Sequence, residues 1–135
     1  MSLIAYALRM AKQYYKPDTY EHALRVASYV ADNAIIPGNL MDTCISLAIM
    51  HDLIEDTHYA EFENIPNELK DGLSIISKNK DTDYNDYVRY IANNKFCCPE
   101  AYFVKLADMK DHLTQTETLT DKLRDKYLAA LPYLL

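Results

Sequence analysis

The stretch SLAIMHDLIEDTH, residues 46–58, runs from an apolar segment directly into a cluster of ionisable side chains. SLAIM is typical of a helix that is buried on most of its faces. It is followed at once by a polar set made of His51, Asp52, Glu55 and Asp56. Burying an unpaired charge costs several kcal/mol or shifts its pKa until the group is neutral. We therefore expect this helix to reach the centre of the protein and its ionisable end to meet a compensating partner.

A metal ion is the partner that this residue set favours. If the helix continues to residue 58, steps of about 100° keep the four ionisable residues within about 140° of one another, with Leu53 and Ile54 on the other side. A divalent cation lets neutral imidazoles and ionised carboxylates leave bulk water together. A lone His-Asp pair would fit a surface hydrogen bond, but four such groups on one face at the end of a core helix favour a site.

Two residues elsewhere in the chain have the chemistry to complete the coordination. His22 lies in YEHALRV and Asp108 in FVKLADMKDHL, each among apolar residues of the core type. Taken alone, His22 fits a core histidine with satisfied hydrogen bonds, and Asp108 fits a solvated helix residue. The interpretation as a metal site therefore requires that the fold bring His22 and Asp108 close to His51 and Asp52.

Apolar residues recur at helical spacing almost throughout the chain. The 135 residues are 50% hydrophobic and 25% charged, which is enough for one domain with its own core. Only two glycines and few β-branched runs leave little material for hairpins. We predict an all-α fold, a single domain over residues 1–135 that forms a bundle of about six to seven helices.

Prolines and capping residues predict where the helices begin and end. Pro17 should end the first helix at the preceding residue. Asp18 or Thr19 should cap a second helix over residues 20–33. Thr118 resembles the first residue of a capping box for the last helix. Later helices are predicted from Pro66, from about Tyr84 and from Pro99.

The charge balance bounds the partners. Twenty acidic and fourteen basic residues give a net charge of -6, without a Lys/Arg-rich run. We therefore expect no long nucleic acid as a partner, although a small polyanion can bind where a cleft focuses positive potential. The oligomeric state is not determined by these features.

The chain carries no signal for a membrane or for export. No apolar run reaches transmembrane length, and MSLIAYALRMAKQYYK lacks the uninterrupted apolar middle and the cleavage site of a signal peptide. Cys44, Cys97 and Cys98 lack paired zinc spacing and are expected to be buried, reduced thiols. We expect a cytoplasmic protein that does not contact membranes.

The order His22, adjacent His51 and Asp52, then a distant Asp108 resembles the H…HD…D motif of the HD-domain metal-dependent phosphohydrolases. The similarity runs from about His22 to the closing DKYLAALPYL. It implies an all-α HD-domain helical bundle in which these four residues bind one divalent metal ion. Two imidazoles and two carboxylates favour manganese, with iron, zinc or cobalt as alternatives. Such an ion lowers the pKa of a bound water and draws charge from a phosphoryl oxygen.

Within that superfamily, HDLIEDT and VKLADMKDHL resemble the small single-domain alarmone hydrolases of the RelA/SpoT type. The resemblance implies that Glu55 and Asp56 position the attacking water and handle its proton. It also implies a small polyanionic nucleotide substrate, guanosine-3′,5′-bis(diphosphate), from which the 3′-pyrophosphate is removed. Arg25 and Lys78 are candidates for binding its phosphates, and His112 for reaching the substrate.

Two features depart from the alarmone hydrolase pattern. KQYYKPDTYEH stands where those enzymes have an Arg-Lys-Ser-Gly-like stretch, and His112 stands where they have an asparagine. The hydrolysis of another nucleotide, such as a nucleoside monophosphate, therefore remains an alternative, as does a non-catalytic nucleotide-sensing module. For His112 and His58, solvent exposure is the simpler expectation. Arg25 and Lys78 fit ordinary surface cations equally well.

Overall fold

The computed structural model describes residues 2–135, and within that range every regular element is a helix. The α-helices are α1 (Leu3–Tyr14), α2 (Pro17–Ala31), α3 (Gly38–Met50), α4 (Leu53–Asp56), α5 (Tyr59–Phe62), α6 (Asn67–Ile76), α7 (Tyr84–Asn93), α8 (Pro99–Thr114) and α9 (Asp121–Ala130), followed by the 3₁₀ turn Leu131–Leu134. The all-α prediction is confirmed. Seven of these helices have ten or more residues, whereas α4 and α5 are single turns of four.

α3 lies at the centre of the bundle, as its apolar sequence predicts. It packs against α1, α2, α6 and α8. Leu47, Ala48 and Met50 have no exposed surface. The approach of α6 is especially close, because a Cβ placed on Gly72 would lie 2.8 Å from Cδ2 of Leu47. A helix that is covered on all sides carries whatever follows its last residue into the interior.

α3 ends at Met50, so the condition that the helix continues to residue 58 is not met. The hydroxyl of Tyr15, at the end of α1, donates a 2.7 Å hydrogen bond to the carbonyl of Ile49 and accepts a 3.2 Å bond from the backbone N–H of Asp52. A side chain inserted at this point takes the place of the regular helical hydrogen bonds. The helix therefore breaks where its ionisable residues begin.

After the break the chain turns and forms the one-turn helix α4. Thr57 follows it in an extended conformation, and its Oγ1 donates a 2.6 Å hydrogen bond to the carbonyl of Leu53. The same oxygen accepts a 3.1 Å bond from the backbone N–H of Tyr59. Thr57 thus ends α4 and orients the chain that enters α5.

Two predicted helix caps were wrong by a few residues. α2 begins at Pro17 itself, after Lys16, so Asp18 lies in the first turn and no side chain caps the helix. A proline fits this first position because its missing N–H would have no partner there. α9 is capped by Thr120, whose Oγ1 accepts a 3.2 Å bond from the backbone of Leu123. The cap predicted at Thr118 therefore moves by two residues.

The described helices can be compared with the length of a membrane span, and the cysteines with their expected burial. In the part of the chain that is described, none of the helices combines the length and the apolar character needed to cross a membrane. All three cysteines are free. Cys44 and Cys98 are buried as expected, whereas Cys97 is exposed, because it lies in the loop that precedes α8.

Candidate metal centre

α2, the end of α3 and α8 bring the four predicted metal ligands to one place. One ligand atom each from His22, His51 and Asp108 lies within 4.8 Å of the other two. Nε2 of His22 is 2.9 Å, and Nε2 of His51 is 3.2 Å, from the same oxygen, Oδ1 of Asp108. Oδ2 of Asp52 lies 3.2 Å from Nε2 of His51 and 3.7 Å from Nε2 of His22. Two imidazole nitrogens and two carboxylates therefore face a common centre.

The other nitrogen of each histidine is already held. Nδ1 of His51 lies 2.6 Å from the carbonyl oxygen of Ala48, so it carries the proton and donates. Nδ1 of His22 lies 2.6 Å from Oδ2 of Asp111 and donates in the same way. In a neutral ring the lone pair is then on Nε2, and both lone pairs face carboxylate oxygens. Such an arrangement requires a cation between them, either further protons or a metal ion.

This donor set fits a divalent metal. Histidines that bind metals usually donate their second ring N–H to a carbonyl or a carboxylate, which holds the ring orientation and the tautomer. His51 and His22 have one support of each kind. Imidazole and carboxylate together suit manganese, iron, zinc or cobalt, and the geometry does not discriminate among these ions.

The charges in the cluster shift its pKa values strongly. Burial disfavours a charge on His51, but the carboxylate of Asp52 and the bond to Asp108 outweigh it and raise the pKa of His51 to about 9. Burial likewise opposes the charge on His22, and Asp108 again raises that pKa. Burial alone would raise the pKa of Asp108, but Lys105 and the histidines outweigh it and hold this pKa well below the usual range. The cluster thus retains protons where a cation is missing, and metal binding there should release protons.

A buried lysine completes the charge balance around the aspartate. Nζ of Lys105, whose side chain is only 7% exposed, lies 2.8 Å from Oδ2 of Asp108. Its ammonium group also lies 5.2 Å and 4.9 Å from the ring centroids of Tyr84 and Tyr87. Lys105 therefore neutralises one carboxylate oxygen and leaves the other, Oδ1, for the imidazoles.

Asp111 is a residue of the site that the sequence analysis missed. Its side chain is 1% exposed, and it accepts bonds of 2.8 and 3.0 Å from Nε and Nη2 of Arg25 while it holds Nδ1 of His22. Arg25 thus acts on His22 through Asp111, and its predicted contact with a substrate phosphate stays a prediction. The signal in the sequence was the position of Asp111 three residues after Asp108, which places both on neighbouring parts of one helix face.

His112 belongs to the cluster. Its Nε2 lies 3.2 Å from Oδ1 of Asp108, and its ring centroid is 4.6 Å from that of His22. The other face of the ring stacks on Tyr127 at 4.8 Å, with 10° between the planes. The expectation of solvent exposure is met only in part for His112, whose side chain is 37% exposed while its ring lies beside those of His22 and Tyr127. It holds for His58, whose side chain is 76% exposed.

The acidic pair of α4 lies beside the cluster. Oε1 of Glu55 accepts a hydrogen bond from the backbone N–H of Lys78, whose ammonium group donates to the carbonyl of Asn79. Both acidic residues are exposed overall, but their carboxyl groups lie against cleft walls. Partial burial, with the nearby charge of Asp52, raises the pKa of Glu55 and of Asp56. A carboxylate with a raised pKa is better suited to accept a proton near neutral pH.

A cavity lies at this centre, and a larger cleft lies beside it. The cavity has a volume of about 220 Å³; His51, Asp52 and Asp108 line it together with Glu55, His112 and several lysines and tyrosines. The larger cleft, of about 770 Å³, lies between the α1–α2 connection and residues 55–62, with aromatic walls that include Tyr14, Tyr15 and Phe62. Glu55 lines both openings, and Asp56 lines the larger one. Glu55 is thus the residue shared by the cavity at the converging residues and the cleft beside it.

Comparison with known protein families agrees with this geometry. A family model described as HD domain matches residues 19–113, which is well over half of the chain. The matched range contains all four converging residues, namely His22, His51, Asp52 and Asp108. No curated protein matches the chain. The family match therefore carries the comparison, and it covers the helices that build the centre.

Proposed function

Since the chain belongs to the HD domain family of metal-dependent phosphohydrolases, we propose that it hydrolyses a small polyanionic nucleotide with one divalent metal ion, for which manganese is favoured. The observation that carries this proposal is the pair of imidazoles whose Nε2 atoms face Oδ1 of Asp108 while each Nδ1 atom is already bonded. A cation bound between the two Nε2 atoms and the carboxylate oxygens would accept their lone pairs and balance their charge.

Each residue near the centre has a role in this proposal. The four converging residues hold the ion, which supplies Lewis acidity toward a phosphoryl oxygen and acidifies water. Glu55 takes the proton from the attacking water, because it lines the cavity that contains His51, Asp52 and Asp108 and its pKa is raised. Lys105 keeps Asp108 ionised, and Asp111 keeps the ring of His22 oriented. Asp56 orients water at the rim of the larger cleft.

For the substrate we propose guanosine-3′,5′-bis(diphosphate), from which the 3′-pyrophosphate is released. The acidic pair that follows the His-Asp motif supports this choice. The larger cleft also supports it, because aromatic walls beside Lys16 suit a stacked base and a phosphate group. We propose that Lys78 and His112 contact this substrate. Arg25 is proposed to hold Asp111 in position, and through it the ring of His22. The proposed location is the cytoplasm.

The hydrolysis of another nucleotide, such as a nucleoside monophosphate, is the second candidate. The observation that favours it is His112, which stands in the cluster where the alarmone hydrolases have an asparagine. A non-catalytic nucleotide-sensing module is less well supported, because the four ligand residues and the acidic pair are all present.

A panel of nucleotides tests the function. Purified protein with manganese is incubated with guanosine tetraphosphate and with nucleoside mono-, di- and triphosphates, and the products are separated by chromatography. We expect guanosine diphosphate and pyrophosphate from the first compound, and no products in excess chelator. Release of orthophosphate from monophosphates alone would establish the second candidate. Absence of turnover for every compound, with metal shown to be bound, would contradict a hydrolase.

A further inference from the structure

The smaller cavity at the converging residues is lined by charges of both signs. Its lining includes three lysines, Lys78, Lys105 and Lys126, which come from the loop after α6, from α8 and from α9. The carboxylates in the lining are those of Asp52, Glu55 and Asp108. At about 220 Å³ the cavity is smaller than the ~300–1,000 Å³ pockets that hold drug-sized ligands. A phosphate or diphosphate group fits such a space better than a nucleoside does.

Two of the three lysines have no acidic partner. Lys105 is neutralised by Asp108. Among residues 2–135, the ammonium groups of Lys78 and Lys126 form no ion pair; Lys78 donates to a backbone carbonyl, and Lys126 lies 4.3 Å from the centroid of the Tyr84 ring. Burial and the charges of Lys105 and Lys78 lower the pKa of Lys126. Cations that repel one another across a cavity favour an anion between them.

A buried hydroxyl in the same cavity also lacks a partner. Within the described chain, the side-chain oxygen of Tyr84 is the one buried polar side-chain atom without a hydrogen bond. A buried hydroxyl usually has a partner, since leaving it unbonded costs free energy. The Tyr84 hydroxyl can donate to an anionic oxygen, and the ammonium of Lys126 beside its ring supplies the opposite charge.

We propose that this cavity is a subsite for the outer phosphate of a diphosphate group whose inner phosphate lies at the metal ligands. Lys126 and Lys78 neutralise the outer phosphate, and the hydroxyl of Tyr84 donates a hydrogen bond to it. This inference rests on the proposed hydrolase function and deepens it. It makes the substrate class one that releases pyrophosphate, because a nucleoside monophosphate would leave the lysines without a counter-charge.

Inorganic pyrophosphate and orthophosphate are the probes that test the subsite. Calorimetric titrations use the manganese-loaded full chain, with the same concentration of free manganese in the protein and ligand solutions, because pyrophosphate complexes manganese. We expect the parent to bind pyrophosphate more tightly than orthophosphate. Lys126→Gln and Tyr84→Phe should each weaken pyrophosphate binding by about tenfold, the usual worth of one hydrogen bond to a charged group.

Lys122→Gln is the matched control. Lys122 lies one turn earlier on α9 and outside the cavity, so this variant should bind pyrophosphate as the parent does. The melting temperature of each variant, measured beside the titration, separates a binding defect from a folding defect. If Lys126→Gln binds pyrophosphate like the parent, or the parent shows no preference for pyrophosphate, the subsite is wrong. Unchanged affinity in Tyr84→Phe would remove the hydroxyl from it.

The subsite and the hydrolase function fail separately. Turnover of guanosine tetraphosphate together with unaltered pyrophosphate binding in Lys126→Gln overturns the subsite and leaves the function in place. Pyrophosphate binding that depends on Lys126, without turnover of any nucleotide, supports the subsite and overturns the hydrolase.

Discussion

His51-Asp52 and Glu55-Asp56 are two polar pairs in one short segment, and the protein places them in different environments. His51 is 3% exposed, and both of its ring nitrogens are bonded. Glu55 and Asp56 lie one turn further along, at cleft walls open to solvent. The helix break at Tyr15 separates the pairs. An enclosed position such as that of His51 suits a metal ligand. A group that exchanges protons with water, as proposed for Glu55, needs contact with the solvent.

The largest effect is expected from removing a ligand in the enclosed pair. His51→Ala leaves the buried Asp108 and the partly buried Asp52 without their imidazole, so metal binding and turnover should be lost. The loss of a buried charge partner should also lower the free energy of unfolding by about 3–5 kcal/mol. Metal content by elemental analysis and urea denaturation measure both effects.

His58→Ala is the control for that variant, since it removes an exposed histidine from the same segment. It should keep metal content, activity and stability near those of the parent. Equal metal content in His51→Ala and His58→Ala would contradict the assignment of the enclosed pair.

A smaller and different effect is expected at the open pair. Glu55→Gln keeps the shape of the side chain and removes its ability to accept a proton. It should retain metal and fold, while kcat falls about a hundredfold or more. Single-turnover rates beside elemental analysis check this; loss of metal in Glu55→Gln would place Glu55 among the ligands instead.

The pH profile of kcat sharpens the same assignment. Only ionised Glu55 accepts a proton, and its pKa is raised by partial burial. The rate of the parent should therefore decrease as the pH falls through this raised pKa. In Glu55→Gln that acidic limb should flatten, and an unchanged limb would assign the proton transfer to another group.

Asp56 should contribute less than Glu55. Asp56 is absent from the lining of the smaller cavity that contains His51, Asp52 and Asp108, whereas Glu55 is part of that lining. Asp56→Asn should therefore keep metal and reduce kcat by about tenfold, which is less than the ~hundredfold or larger effect of removing a general base. A decrease as large as that of Glu55→Gln, measured under the same conditions, would reverse the two roles.

The smallest effect is expected at Thr57, the residue that follows the open pair and ends α4. Thr57→Val keeps the side-chain shape and removes the two hydrogen bonds that end α4. The free energy of unfolding should decrease by about 1 kcal/mol. Thermal denaturation measures this, and a modest increase in KM without loss of metal should accompany it.

The identities and the order of the converging residues could be predicted from the sequence. His22 and Asp108 each had an ordinary structural explanation, and only their order around His51 and Asp52 indicated a metal site. Asp111 could also have been predicted as a residue of the site, because it shares a helix face with Asp108.

The amino-acid pattern thus accounts for the seven longer helices, for the buried position of α3 and for the chemistry of the residues that follow it, because these depend on local propensity and on apolar periodicity. Packing in three dimensions decides the rest. Tyr15 breaks α3, Lys126 lies against Tyr84, and Arg25 binds Asp111. The residues of the first and last of these pairs are 37 and 86 positions apart in the chain. Contacts of this kind leave no periodic trace in a sequence, since each depends on how separate helices pack against one another.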